Sequence, residues 1–231
     1  MKISVALAAY KGEQYIAEQL ASILSQLGEN DEIIVSDDYP QGKTRAIVEK
    51  YQSQDKRIRY VEGEGKGVVK NFENAVKACS GDVIFLSDQD DVWLPGKVEC
   101  VMNEIKNGAD LVLHDASVTD ANLNITEPSF FAVHGSNASF ARNLIKNSFV
   151  GCCMAFRKST ACCSLPFPKG LAMHDWWIAL VALKKKQNIV LLQKPLILWR
   201  RHSQTVTGGR TSLLQKIKWR LNIVLSLARI K

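Results

Sequence analysis

No stretch of this 231-residue sequence comes near the roughly 18 consecutive apolar residues that a membrane-spanning helix needs. The best late run, Ile189 to Trp199, is interrupted by Gln193, Lys194 and Pro195. A signal peptide is not expected from the start either: the apolar run from Ile3 stops at Lys11 and Glu13, too short and wrongly flanked. No C-x-x-C pair occurs among the cysteines at 79, 100, 152, 153, 162 and 163. That argues against a structural zinc or a redox pair, and for free, mostly buried thiols in a reducing cytoplasm. No G-x-G-x-x-G follows the first apolar run and no Walker A pattern appears, so a glycine loop is not what would cradle phosphates. A metal would have to hold them. Acids, finally, are absent beyond Asp175, while twelve of the thirty Lys and Arg residues lie past it. The C-terminal quarter therefore calls for an anionic partner: a membrane surface, a nucleic acid or a phosphorylated substrate.

What is present suits an α/β domain. Hydrophobic residues make up 46% of the chain, ample for one core. Short apolar runs at 3–9, 31–36, 58–61 and 83–86 read as strands, with helical spacing at 16–27 (closed by Gly28), 44–52 and 68–79 between them. That alternation predicts a mostly parallel, Rossmann-like sheet with helices on both faces, whose ligands bind where strands give way to loops. Further on, 110–114 and 149–156 read as strands and 121–139 as a polar loop facing an acceptor. His174-Asp175-Trp176-Trp177 opens a helix.

The chemistry concentrates in Gly81 to Trp93, G-D-V-I-F-L-S-D-Q-D-D-V-W. Asp88, Asp90 and Asp91 follow a buried strand within four residues. Carboxylates so crowded repel one another unless a cation or many donors neutralise them. Oxygen ligands suit Mg²⁺ or Mn²⁺ shared with substrate phosphates. The alternative is a solvated acidic turn ahead of a helix near Pro95. Asp175 has a similar pair of readings, a helix-start cap or a catalytic carboxylate.

Seven segments together, A-A-Y-K-G-E-Q-Y-I, E-I-I-V-S-D-D, K-N-F-E-N-A, F-L-S-D-Q-D-D-V-W, G-C-C-M-A-F-R, H-D-W-W and W-R-R-H-S-Q, resemble the inverting glycosyltransferases of family 2, which have the GT-A fold. The S-D-Q-D-D-V-W-x-P-x-K run with an upstream K-N-F most resembles the branch of rhamnosyltransferases of bacterial surface polysaccharide synthesis (O-antigen or capsule). The resemblance covers residues 1 to about 205, leaving 206–231 as a basic amphipathic helix. It implies a nucleotide-sugar donor, dTDP-rhamnose or a UDP-sugar, and a glycan or lipid-diphosphate-linked acceptor. Ala8, Tyr10, Asp37, Asp38, Lys70, Asn71, Asp88 and Gln89 would bind the nucleotide sugar. Asp90 and His202 would hold the metal, Asp175 would be the general base, and Asp91, Trp93, His174, Trp176, Arg200 and Arg201 would support the acceptor side. The chain departs from the family pattern at Lys11, where Asn is usual, and at Tyr39 to Thr44, which replaces G-S-T-D-G-T.

The last pattern, 213–231, sets leucines and isoleucines against Lys216, Lys218, Arg220 and Arg229. It resembles a helix lying on the anionic inner face of the cytoplasmic membrane, the alternative being a helix packed on the domain with a solvated basic face. A nucleic-acid partner is not expected, because no recognition motif accompanies the charge. A transferase-like protein that binds without turnover is the other functional class; the retained Asp90 and Asp175 argue against it.

Overall fold

The computed structural model describes residues 1–202 and 212–230; the expected boundary at 205 lies outside them. From the N-terminus come β1 (Ile3–Ala9), α1 (Ile16–Leu24), β2 (Glu32–Asp37), α2 (Thr44–Gln54), β3 (Ile58–Glu62), α3 (Val68–Ala78), β4 (Val83–Asp88), β5 (Val92–Trp93) and α4 (Lys97–Lys106). The second half runs β6 (Leu111–Thr119), β7 (Ile125–Glu127), α5 (Phe130–His134), α6 (Phe140–Ile145), a 3-10 turn at Gly151–Cys153 and β8 (Met154–Arg157). It ends with α7 (Lys158–Ser164), α8 (His174–Lys184), β9 (Ile189–Arg200) and α9 (Leu213–Ala228).

One sheet runs through the molecule in the order β3-β2-β1-β4-β8-β6-β9-β5, with β7 beside β6. β1 is buried along its whole length, as the continuous apolar run Ile3 to Ala9 requires of a central parallel strand. β1, β2, β3 and β4 pair in parallel, as expected from their alternation with helices. Beyond β4 the sheet becomes mixed: β8 is antiparallel to β4 and β6, β9 parallel to β6, and β5 antiparallel to β9.

Several bounds differ from the sequence reading for local reasons. α1 ends at Leu24, not at Gly28, whose N–H instead donates to the Asp31 carboxylate at 2.8 Å. The strand expected over 149–156 starts only at Met154, because Gly151–Cys153 tightens into the 3-10 turn that brings Cys152 under the acid cluster. The strand expected at 110–114 continues to Thr119 along β9, and 121–139 holds β7 and α5 rather than loop alone.

β1 leads outward to β2 and β3 on one side, and the chain then returns to place β4 on its other side. The carboxyl ends of β1 and β4 therefore flank the point where strand order reverses, the usual place for a ligand crevice in such a sheet. The acidic turn after β4 falls there.

Candidate active site

A cleft of about 750 Å³ opens at these strand ends. One wall comes from the N-terminal half: Ala8, Ala9 and Tyr10 after β1, Asp38 after β2, Gly65, Gly67 and Asn71 around the start of α3, and Asp88, Gln89 and Asp90 after β4. Facing them are Val150, Gly151, Met173, His174 and Asp175, with Trp199, Arg200 and His202 at the end of β9.

The strand-end loops are braced before any ligand binds. Gln89 accepts from the Tyr10 N–H at 2.8 Å and donates to the Tyr10 carbonyl at 2.9 Å, so the loops after β1 and β4 are joined. Gly12 lies against that amide: a Cβ there would meet the Gln89 Oε1 at 2.1 Å. Asp38 accepts from the Gly65 and Gly67 N–H groups at 2.8 and 2.7 Å, folding the glycine-rich loop against the cleft. Asn71 donates to the Ala9 carbonyl and accepts from Ser36. Lys11 occupies the left-handed region, with φ 50°. An Asn, the residue the family pattern has here, tolerates that conformation better than Lys. The Lys11 ammonium lies over the Tyr10 and Tyr39 rings, at 5.3 and 4.9 Å from their centroids.

At the cleft floor the donor atoms of Asp88, Asp91 and Cys152 lie within 4.8 Å of one another. Burial, then the charges of Asp91, Asp90 and Asp175, pushes the Asp88 carboxyl well above its usual range. Burial and the Asp90 charge push Asp91 up to about 7. Its Oδ1 accepts from the Arg200 N–H at 3.1 Å, while its buried Oδ2 has no partner. Beneath lies Lys97, fully buried, its ammonium on the Cys152 carbonyl at 2.9 Å and 4.0 Å from the Trp93 ring centroid. Burial lowers it to about 8. His202 Nε2 lies 2.8 Å from the Asp90 carboxylate, its ring tilted against Tyr15. Arg200 ties the region together, donating to the Asp90 and Ala121 carbonyls and to Glu18, and lying over the Tyr15 ring.

This donor set fits a hard divalent cation. Three clustered carboxylates, one with an orphaned buried oxygen, and an adjoining imidazole are the oxygen-rich chemistry that Mg²⁺ and Mn²⁺ favour. Burial and the neighbouring Cys153 hold the Cys152 thiol protonated, so it adds no thiolate to this set.

Across the cleft, Asp175 sits in the first turn of α8. Its Oδ2 accepts from the Gly151 N–H at 3.0 Å and its Oδ1 from Asn147 at 3.2 Å and from the Trp176 N–H. The cap position itself is Met173, so Asp175 is not the N-cap. Burial raises its carboxyl to about 6 against those three donors. His174 beside it stacks on Phe72 at 3.7 Å with both ring nitrogens unpartnered, and burial drops it to about 3. Gly151 is what lets His174 in, since a Cβ at 151 would lie 2.8 Å from Nε2.

Five residues expected at the site stand elsewhere. Asp37 is buried beside the cleft, bound to the Tyr39 N–H and the Tyr60 hydroxyl. Lys70 turns away to pair with Glu73. Trp93 is core, packed on Phe85 and under Lys97. Trp176 points into the α6 side, donating to the Asn143 carbonyl. Arg201 lies over the Trp199 ring. Conversely, Lys97, Cys152, Tyr15, Glu18 and Asn147 belong to the site's framework and were not singled out from sequence. Lys97 and Cys152 both lay in segments that carry the resemblance, Lys97 as the closing residue of W-x-P-x-K and Cys152 in G-C-C-M-A-F-R, but the place of Cys152 beside acids some sixty residues away could not be read from the segment.

Residues 4–162 match the family model described as glycosyl transferase family 2. The dTDP-rhamnosyl transferase RfbG of Shigella flexneri is 29% identical over 94% of this chain and 78% of its own length. A UDP-glucose-using β-1,3-glucosyltransferase of Escherichia coli, WfgD, which acts on N-acetylglucosamine-diphosphoundecaprenol, is 27% identical over 79% of this chain and 70% of its own. Among solved structures, S. aureus TarS 1–349 with UDP-GlcNAc aligns with a TM-score of 0.79 at 20% identity, covering all of this chain and 68% of that one. The Pyrobaculum calidifontis mannosyltransferase PcManGT, solved with GDP-Man and Mn²⁺, aligns at 0.70 and 15% identity over 98% of this chain and 64% of that one. These likenesses show the GT-A fold.

Proposed function

The chain belongs to glycosyl transferase family 2, and from that premise we propose that it transfers a sugar, with inversion, from dTDP-rhamnose or a UDP-sugar to a glycan or lipid-diphosphate-linked acceptor in bacterial surface polysaccharide synthesis. The observation that carries the reading is the cleft itself, with the carboxylates of Asp88, Asp90 and Asp91, close enough to repel one another, on one side and the Asp175 carboxylate on the other.

Inversion needs one in-line attack. The acceptor oxygen bonds to the anomeric carbon, the bond from that carbon to the diphosphate oxygen breaks, and the hydroxyl proton passes to a carboxylate on the acceptor side. Asp175 is that base; raised to about 6, it is ionised at neutral pH yet basic enough to take a proton. Asp38, Asn71 and the Gln89–Tyr10 pairing fix the loops around the nucleoside end. Asp88, Asp90, Asp91 and His202 would hold Mn²⁺ or Mg²⁺, which when bound neutralises charge developing on the leaving diphosphate. Arg200 holds the Asp90 carbonyl through its guanidinium and the Asp91 carboxylate through its backbone N–H.

The similarity to an enzyme named for a diphosphoundecaprenol-linked acceptor supports a lipid-linked acceptor for this chain, presented at the inner face of the cytoplasmic membrane. The test is direct: incubate the protein and Mn²⁺ with a panel of dTDP-, UDP- and GDP-sugars and lipid-diphosphate-linked acceptors, and read donor consumption and product anomer by NMR. Inverted product from a dTDP- or UDP-sugar is expected. Retained configuration, or no turnover with any donor that binds, would overturn the reading.

A further inference from the structure

α9 carries two apolar faces. One, with Ile223 and Leu227 buried and Trp219 and Ile230 packed on the core, seats the helix on α8. Lys184 on α8 donates to the Leu227 and Ile230 carbonyls, Asn222 donates to the Lys169 carbonyl at 2.6 Å, and Arg220 reaches the Ile145 carbonyl. The other face is bare. Leu213, Leu214, Ile217, Leu221, Val224 and Leu225 are all exposed, Leu214 at 81% and Leu225 at 64%. At about 100° per residue they fall within roughly 120° of arc, one continuous stripe along the helix. Lys216 and Arg220 flank it on one edge, Lys218 and Arg229 on the other.

We propose that this stripe is a docking surface for an anionic lipid bilayer, with the four flanking cations at headgroup level. An apolar arc bordered on both sides by Lys and Arg is the pattern of a helix lying in a membrane interface. The surrounding charge agrees: after Glu127 the chain holds a single acidic side chain, Asp175, and that one is buried. Exposed Ile145, whose carbonyl Arg220 holds, extends the surface with Lys146 next in the chain. Arg220 also lies 5.9 Å from the Trp176 ring, so the N-terminal part of the stripe runs beside the end of α8 that carries Asp175. A second copy of the chain fits less well, because pairing two such stripes sets cation against cation. A nucleic acid would use the charges but leave six large apolar side chains in water.

The test uses the full chain and sedimentation with phosphatidylcholine vesicles, with and without phosphatidylglycerol. Binding is expected only with the anionic lipid and is expected to fall as salt rises. Leu214→Glu/Leu221→Glu should weaken it by about tenfold or more with an unchanged melting temperature, and Lys218→Glu by a smaller factor. Should the double variant lose its melting transition, Leu214→Glu alone, at the most exposed position, gives the same readout. Failure of the wild type to sediment, or equal sedimentation of the leucine variants, would overturn the proposal. So would a gel-filtration dimer that the leucine variants dissolve without vesicle binding, or binding to an oligonucleotide that displaces the vesicles while the leucine variants bind both unchanged. None of these readouts involves sugar transfer, so the docking surface and the proposed activity stand or fall separately.

Discussion

Asp88, Asp90 and Asp91 crowd one side of the cleft, with Arg200, Lys97 and His202 around them, whereas Asp175 faces them with only uncharged groups as its hydrogen-bond partners. Asp88 and Asp91 on the first side and Asp175 on the second are all raised above the ordinary carboxylate range. The causes differ. On the first wall mutual repulsion adds to burial, a stress that a bound cation relieves. On the second, burial acts alone against three neutral hydrogen-bond donors, which leaves a carboxylate no metal is needed to balance.

The sharpest way to break this contrast is Asp175→Asn. Turnover should fall by a factor of about 10² to 10⁴, with donor affinity near wild type and a smaller loss of stability, because the amide oxygen can keep the Asn147 and Trp176 donors while its NH2 faces the Gly151 N–H. In the wild type, kcat should fall about tenfold per pH unit below about 6, as Asp175 takes up the proton that blocks it. Near-normal transfer by the variant, checked in a product assay, would remove the base. The first wall is addressed by Asp90→Ala, which should weaken nucleoside-diphosphate binding in Mn²⁺ by about 10- to 100-fold and leave it insensitive to EDTA. Equal calorimetric affinity with and without metal in the wild type would break the assignment. Lys97→Met strands the Cys152 carbonyl and removes a cation beside Asp91 and Asp88, so urea unfolding should show a loss of about 1–3 kcal/mol. A loss much below that would mean the ammonium is dispensable to the wall.

Metal stabilisation should itself depend on pH. Asp88 and Asp91 have folded pKa values above their unfolded ones, so they cost stability when ionised, and the cost fades as pH falls through the folded values. A divalent ion binds the ionised forms. The rise in melting temperature on adding Mn²⁺ should therefore be larger at pH 8 than at pH 5.5, and an equal rise at both would place the ion elsewhere. The smallest effect is expected at Lys11→Asn, which relaxes a left-handed backbone and gives up two ring contacts; thermal melts should shift by less than about 1 kcal/mol.

Legibility follows the same division. The wall from β1, β2 and β4 was readable because each strand and its acidic or polar end are contiguous: F-L-S-D-Q-D-D states both the buried strand and its cluster. Even there, side-chain direction was not. Asp37 and Asp38 are adjacent, yet only Asp38 reaches the cleft, since successive side chains alternate across a strand. Lys70 lost to Glu73, one turn away on the same helix face. The other wall depends on pairing between distant segments. β8 shrinks to four residues and runs antiparallel between β4 and β6, and no local period announces that. Its His-Asp pair was visible as a motif, but of the donors that hold Asp175, Gly151 comes from a turn whose sequence reads as strand and Asn147 from the irregular segment before it.

Arg200 bears on the order in which the molecule is made. Its bonds reach back to Glu18, 182 positions earlier, and to Asp90 and Asp91, 110 and 109 positions earlier. A ribosome delivers the acids of the first wall long before the strand that steadies them. Until β9 enters the sheet, the turn after β4 lacks the guanidinium and backbone amide that pin it. Closure of so long a loop is slow relative to local helix and hairpin formation. A chain with only its first four strands assembled would therefore have its cleft unset until the last strand pairs.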